Sequence, residues 1–448
     1  MKVAKFGGSS VANAVQLQKV GDIIRSDADR KFVVVSAPGK RYSGDEKVTD
    51  MLIQLGDSYR DGKDYDQHIV KVMDRFKEIV DDLGLPQNIL DDIEGTIQEV
   101  LRKDTSIELK LDALKAVGED SSAKILSAYL QSVGENASYI NPQEAGIIVS
   151  NDPGNAHILK ESFSKIYSLR EKDGIFVIPG FFGYTKEGEL ITFSRGGSDI
   201  TGAIIAAGVK ADMYENFTDV DSVFTVNPTL VDNPKEITTL TYREMRELSY
   251  AGFSVFHDEA LIPAFEKGIP VCIKNTNNPQ APGTNIVAEK KESDKCVVGI
   301  ASDTGFCSIY ISKFLMNREV GFGRKLFQIL EDEEVSFEHA PSGIDDMSII
   351  IRESLLTPEK EKRVMERMKK ELQPEKIDIH RDLAMIMVVG EGLVSTIGIA
   401  QRATTAISTA NVNIEMINQG SSEVSMMFGI ESEGLQRALQ SLYTAFFE

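Results

Sequence analysis

An internal repeat constrains the last third of the chain more than any other feature. Glu334-Val335-Ser336-Phe337-Glu338-His339-Ala340-Pro341-Ser342-Gly343 lies without a gap on Asn411-Val412-Asn413-Ile414-Glu415-Met416-Ile417-Asn418-Gln419-Gly420, an offset of 77 residues. The same offset matches Val335 with Val412, Glu338 with Glu415, Gly343 with Gly420 and Ser348 with Ser425, and pairs Gly321 with Gly398. In the first copy, apolar alternation predicts strands over 306–312, 335–339 and 347–352, and helical periodicity predicts helices over 321–331 and 358–372. That is the ferredoxin-like βαββαβ order, expected as a tandem pair over 304–380 and 381–448. Each such unit leaves a sheet edge that pairing between chains would hide, so an even homo-oligomer, a dimer or tetramer, is expected through this tail.

The front of the chain alternates differently. A strand over 3–6 runs into Gly7-Gly8-Ser9-Ser10 and a helix over 11–25, then a strand over 32–36 ending in Ala37-Pro38-Gly39. Strand, glycine turn, helix, strand implies a parallel-rich α/β sheet between helices. From about 46 to 130 the pattern is helical and acidic. Strands return at 147–150, 175–179, 213–218, 223–225 and 270–274, with a small-residue helix over 200–208. The charged stretch 289–295 reads as a linker, making 1–295 the front domain.

Charge and composition exclude several functions. With 69 Asp+Glu against 49 Lys+Arg, a formal charge of −20 disfavours nucleic acid and anionic membranes as partners. No apolar run approaches the roughly 20 residues that cross a bilayer, and the first residues lack the apolar core of a signal peptide. Three cysteines without metal-type spacing fit reduced thiols in a cytoplasmic protein. Five scattered histidines argue against zinc or a Ser-His-Asp triad.

Two glycine-rich turns carry the chemistry. After a strand, Lys5-Phe6-Gly7-Gly8-Ser9-Ser10 lets backbone approach a phosphate, offers free N–H groups at a helix start and adds a compact positive charge. The spacing is not that of a Walker A loop. Ser194-Arg195-Gly196-Gly197-Ser198-Asp199 repeats the device with a guanidinium suited to a carboxylate. Strand ends of such sheets converge on a crevice, which favours one site between the two turns.

These residues, with Val117-Gly118-Glu119, Pro179-Gly180-Phe181 and Phe217-Thr218-Asp219-Val220, closely resemble the motifs of aspartate kinases, and the repeated tail looks like their paired ACT domains. The resemblance spans essentially the whole chain. It implies the amino-acid-kinase fold followed by two ferredoxin-like ACT domains, and ATP-dependent phosphorylation of the L-aspartate side-chain carboxylate with Mg²⁺, the first step toward lysine, threonine and methionine. By the same resemblance Lys5 would meet the transferring phosphoryl group, Gly7, Gly8 and Ser9 would cradle phosphates, and Asp199 would organise Lys5. Arg195 would hold the substrate α-carboxylate and Glu119 its ammonium. Thr49, Gly197 and Ser198 would lie near the reacting carboxylate, and Thr218, Asp219 and Phe224 beside the nucleotide. An aspartate carboxylate is already ionised at neutral pH, so the reaction needs positioning and charge cancellation rather than a general base.

The sequence departs from the family at the nucleotide. Ser222 and Phe224 stand where relatives carry glycine and tyrosine, Asn227-Pro228-Thr229 replaces Asp-Pro-Arg, and Ser254 replaces a lysine. Two cationic contacts to the nucleotide phosphates are thereby missing, and Lys235, Lys274 or a neighbouring loop would compensate. A non-catalytic amino-acid sensor and a kinase of another carboxylate are the alternatives. In the tail, Met316, Asn317, Glu319, Gly321, Phe322 and Glu338 match the region that binds effector in lysine-sensitive relatives, with lysine or threonine as the implied effector.

Overall fold

Strand β1 (Lys2–Phe6) lies near the middle of an eight-stranded sheet, between β2 (Arg30–Val35) and β5 (Met213–Thr218). The computed structural model describes residues 1–194, 196–253, 260–290, 296–420 and 424–448. They form two compact units: Met1–Val223 with Glu236–Met245 and Val255–Lys291, and Phe224–Lys235 with Arg246–Ser254 and Glu292–Glu448. No helix among the described residues is long and apolar enough to cross a membrane.

In the first unit the sheet is completed by β3 (Ala137–Tyr139), β4 (Ile175–Pro179), β6 (Thr239–Thr241), β7 (Val271–Asn275) and β8 (Thr284–Val287), in the order β6-β8-β7-β5-β1-β2-β4-β3. Every pairing is parallel except β7 with β8. Side chains alternate across a strand. Ala4, Phe6, Val33 and Val35 therefore face one core, shared with Leu17 and Val20 of helix α1 (Ala14–Arg25). Four further helices, α2 (Val48–Arg60), α3 (Asp66–Asp82), α4 (Asn88–Arg102) and α5 (Ile107–Ser132), extend that core through Leu52, Phe76, Ile97 and Leu126. Each such side chain stabilises the fold by about 1.5–3 kcal/mol when fully buried. The helical stretch read from about 46 to 130 is this layer.

Helix α6 (Gly197–Val209) packs against β1, β2 and β5. Its small residues allow close approach: a Cβ on Gly202 would lie 2.4 Å from the Tyr214 hydroxyl. The segment 147–150 departs from its expected strand, contributing only single bridges from Ile148 to Tyr184 and from Val149 to Ile158. A side chain has taken the ladder's donor, since the Ile148 amide donates to Ser162 Oγ at 2.9 Å.

In the second unit two long strands, β9 (Gly299–Ser312) and β11 (Lys376–Val389), run antiparallel through a five-stranded sheet. With β10 (Asp346–Arg352), β12 (Met416–Asn418) and β13 (Ser425–Glu431) the order is β10-β9-β11-β13-β12. Phe306–Ser312 serves the first repeat. Gly299–Asp303 instead pairs with Met385–Val389, so the second repeat takes its fourth strand from chain that precedes the first. A break in register between Asp303 and Phe306, where Gly305 adopts φ +81°, lets one strand serve both. Helices α7 (Phe322–Asp332) and α8 (Pro358–Leu372) cover the first repeat, α9 (Ile399–Thr409) and α10 (Leu435–Phe447) the second. The strand expected over 335–339 shrinks to a bridge from His339 to Ile350, beside Pro341, which has no N–H to give a ladder.

Candidate active site

The alternation that sends Ala4 and Phe6 into one core sends Lys5 to the opposite face, where α6 begins. Lys5 is 6% exposed, and its Nζ lies 2.6 Å from Asp199 Oδ1 in the first turn of that helix. Asn216 on the neighbouring strand β5 donates to the same carboxylate oxygen at 2.6 Å, and the Tyr214 hydroxyl donates to the Asp199 carbonyl at 3.2 Å. Asp199 is thus fixed from three sides, and it fixes the ammonium.

The first glycine turn lies beside this pair. A Cβ on Gly7 would sit 3.7 Å from Lys5 Nζ, and one on Gly8 would sit 3.0 Å from the Ala37 carbonyl oxygen. Gly7–Ser10 closes as a short 3-10 turn, with the Ser10 amide donating to the Gly7 carbonyl, and Ser9 is exposed at its rim. The turn after β2 presses against it: the Gly39 amide donates to the Gly8 carbonyl at 2.8 Å, and a Cβ on Gly39 would fall 2.6 Å from the Gly8 carbonyl carbon. Main chain that admits no side chain, with one ammonium beside it, forms a recess that an anionic phosphate chain could approach closely.

The second turn is equally tight. Gly196 adopts φ +76° to begin α6, and a Cβ on Gly180 or Gly197 would strike Ser198 at 2.7 Å or Phe181 at 2.6 Å. Gly197 and Ser198 therefore sit where the sequence puts them, at the start of α6. Arg195, between them and the preceding strand, lies outside the described residues, as does Ser254.

Glu119, on the long helix α5, is 5% exposed, and its Oε2 has no hydrogen-bond partner. Burial pushes its carboxyl up to about 8, against the opposing pull of the Ala37 amide and the Lys5 charge. Gly118 beside it admits the Ala37 side chain, since a Cβ there would lie 2.6 Å from the Ala37 Cβ. One turn, Ala37–Gly39, thus touches both the Gly8 recess and the Glu119 carboxylate. Thr49 is half-buried at the start of α2, where the Val48 amide donates to the Pro38 carbonyl.

Thr218 and Asp219 close β5, with the Thr218 hydroxyl donating to the Asp219 carboxylate at 3.1 Å. Asn275 on β7 donates to the Asp219 carbonyl and to Asp221. Phe224 belongs to the second unit. The two lysines considered as substitute cations are both engaged: Lys274 donates to the Ala281 carbonyl at 3.0 Å, and Lys235 to the Phe447 carbonyl. Among the described residues no group of three or more His, Cys, Asp or Glu is placed to hold a metal. The Asp199 carboxylate beside Lys5 is a hard oxygen donor of the kind Mg²⁺ takes.

In the second unit the six tail residues are spread between core and surface. Met316 and Phe322 are buried in the first repeat, and the Asn317 amide donates to the Ile344 carbonyl. Gly321 adopts φ +87° to start α7, as Gly398 does at φ +90° for α9. Glu319 is held by Lys313 at 2.6 Å and Lys325 at 2.8 Å, which keep its carboxyl below the usual range. Glu338 is held by Arg352 at 3.3 Å and by the Tyr250 hydroxyl. None of the six lines the cavity of about 430 Å³ on this unit, which Tyr310, Ser342, Asp346, Ser348, His380 and Glu415 surround. The repeat alignment marked Ser348 and Glu415, but nothing in the sequence joined them to Tyr310.

Residues 1–275 match the amino acid kinase family and residues 386–446 an ACT domain. Aspartokinase 3 of Bacillus subtilis is 55% identical over 448 residues, covering 100% of this chain and 99% of its own. The crystal structure of Clostridium acetobutylicum aspartate kinase, described as an allosteric enzyme, superposes with a TM-score of 0.89 at 41% identity over 100% of both chains. E. coli aspartokinase III, solved with aspartate and ADP and with lysine and aspartate, gives a TM-score of 0.79 at 24% identity over 100% of both chains, a likeness of fold.

Proposed function

The chain belongs to the aspartokinases of the amino acid kinase family, enzymes that phosphorylate the side-chain carboxylate of aspartate, and we propose how its residues do so. The Lys5–Asp199 contact at 2.6 Å, beside the Gly7–Ser9 recess, carries the reading. Lys5 meets the transferring phosphoryl group, where a fixed ammonium cancels charge without reorganising. Asp199, itself held by Asn216, keeps that ammonium from pairing elsewhere. Glu119 receives the substrate ammonium, which supplies the partner its buried carboxylate lacks. Arg195 takes the α-carboxylate, with Thr49, Gly197 and Ser198 around the reacting group and Thr218 and Asp219 along the nucleotide. Bound with ATP, Mg²⁺ would neutralise phosphate charge, and Asp199, the carboxylate paired with Lys5, would share in holding it.

Lysine is the proposed effector and an ACT-mediated even oligomer the proposed assembly. The ACT match and the lysine-bound structure of the E. coli homologue support the first. The division into 1–295, 304–380 and 381–448 is proposed with them, as is a cytoplasmic location, supported by three free thiols. An amino group arriving at Glu338 competes with Arg352 for it, and regulation then requires two states of unequal affinity.

The test is direct: Mg-ATP, L-aspartate and hydroxylamine are mixed with the protein and aspartyl hydroxamate is measured with and without lysine. Product that lysine suppresses supports both readings. Product indifferent to lysine but suppressed by threonine transfers the effector role. Absence of product from folded protein overturns the roles given to Lys5 and Asp199 and favours the sensor.

A further inference from the structure

Arg75, on α3 in the helical layer, is 3% exposed, and its charge is spent on main chain far away in sequence. Its Nη2 donates to the Ala12 carbonyl at 3.0 Å and to the Gly39 carbonyl at 2.7 Å, while Nη1 donates to Asp45 at 2.9 Å. Ala12 caps the Gly8–Val11 turn that follows β1, and Gly39 ends the turn that follows β2. These are the two turns that interlock at Gly8. Both are built largely from alanine, glycine, proline and serine, so they carry little side-chain packing of their own to hold their spacing. Asp45 also accepts from Arg41 at its amide and its guanidinium, and these bonds hold its carboxyl well below the usual range.

We propose that Arg75 is a positioning residue for phosphoryl transfer, binding the Ala12 and Gly39 carbonyls at once and so setting the width of the phosphate recess. The planar guanidinium suits this task because one nitrogen reaches both carbonyls while the other is neutralised by Asp45. Lysine in its place brings a single nitrogen, which cannot hold both carbonyls and Asp45 at the spacing the guanidinium fork sets. The Gly39 turn also carries Ala37 against Gly8 and Glu119, so a small shift at Gly39 alters the recess before it alters the distant core. The inference rests on reading Gly7–Ser9 as the phosphate cradle.

Arg75→Lys in the full chain tests it, with Arg41→Gln as the control that keeps Asp45 paired to Arg75 and touches neither carbonyl. Thermal midpoint, turnover, the KM values of both substrates and the ADP dissociation constant are measured on each. Arg75→Lys is expected to weaken ADP about tenfold and to lower turnover about tenfold, the loss of one hydrogen bond from a charged donor, with the aspartate KM moved less than the ATP KM. Arg41→Gln is expected to leave all four within about twofold, a partly exposed ion pair being worth little. If Arg75→Lys lowers the midpoint yet leaves ADP affinity and turnover at wild-type values, the residue is merely structural and the proposal is wrong. Should that variant not fold, Arg75→Met with Asp45→Asn removes the buried pair together and is read against the same outcomes. Failure of the cradle itself is distinguishable, because Gly39→Ala would then also leave ADP binding unchanged.

Discussion

Replacing Glu119 with glutamine should stabilise the empty protein and cripple its grip on aspartate, and the two effects have opposite pH signatures. A carboxyl raised from 4.5 to about 8 by burial holds its proton in the folded state. Wild-type stability is therefore full below the unfolded value and declines as pH rises towards 8. Linkage puts the penalty below about 1 kcal/mol at pH 5, at about 3 at pH 7 and near 5 at pH 9, as an upper bound. A glutamine amide in its place has no proton to lose. The thermal midpoint of ligand-free Glu119→Gln should match wild type at pH 5 and exceed it by several degrees at pH 9. Bound aspartate reverses the ranking, since its ammonium meets a carboxylate in wild type and a neutral amide in the variant. A charge-assisted hydrogen bond lost there is worth about 1.5–3 kcal/mol, or roughly 10- to 150-fold in aspartate KM, with the ATP KM little changed. Differential scanning fluorimetry across pH and hydroxamate kinetics read both. A pH-independent stability difference would refute the burial argument, and an unchanged aspartate KM would remove Glu119 from the ammonium site.

Lys5→Met should lower turnover by about 100- to 1,000-fold while moving the aspartate KM much less, because a fixed charge that acts on the transition state has been removed; an equal loss in KM alone would argue for ground-state binding. Gly39→Ala places a Cβ 2.6 Å from the Gly8 backbone, and is expected to raise the ATP KM at least about tenfold, with ADP titration as the check. Arg352→Gln should tighten lysine inhibition and Glu338→Gln should weaken it, since the arginine at 3.3 Å occupies the carboxylate an effector ammonium would need; lysine titrations that shift in the same direction for both would break that competition.

The parts of this architecture that were legible in the sequence are those whose signal is local. A strand, two glycines and a helix at residues 3–25 could be read because each requirement falls within one turn of the next. The small-residue helix read over 200–208 begins three residues earlier, at Gly197, because Gly196 can adopt the left-handed conformation that starts it. The Lys5–Asp199 contact was legible only through the family resemblance, as it closes a gap of nearly two hundred residues. Arg75 left no sequence signal at all: an arginine on an amphipathic helix reads as solvated, and its acceptors are carbonyls that every residue carries. The fourth strand of the second repeat, Gly299–Asp303, was missed for a related reason. A repeat search compares like with like, and this strand precedes the copy it does not belong to.

The repeat that first organised the tail also shows how two copies of one fold come to differ in chemistry. At the constant offset of 77 residues, Glu338 corresponds to Glu415, but Arg352 corresponds to Gly429. In the first copy the carboxylate is neutralised by that arginine and accepts a hydrogen bond from the Tyr250 hydroxyl. In the second, Gly429 leaves space against Met416, where a Cβ would already sit 3.2 Å from that residue's own, and Glu415 is exposed with the Asn413 amide donating to it. Glu415, not Glu338, borders the 430 Å³ cavity. A ligand bearing an ammonium therefore meets an available carboxylate in one copy and a competing guanidinium in the other. Two positions of equal ancestry are in this way made unequally available to such a ligand. Equal sites would fill together, whereas an available carboxylate fills at lower ligand concentration than one that must first shed its arginine.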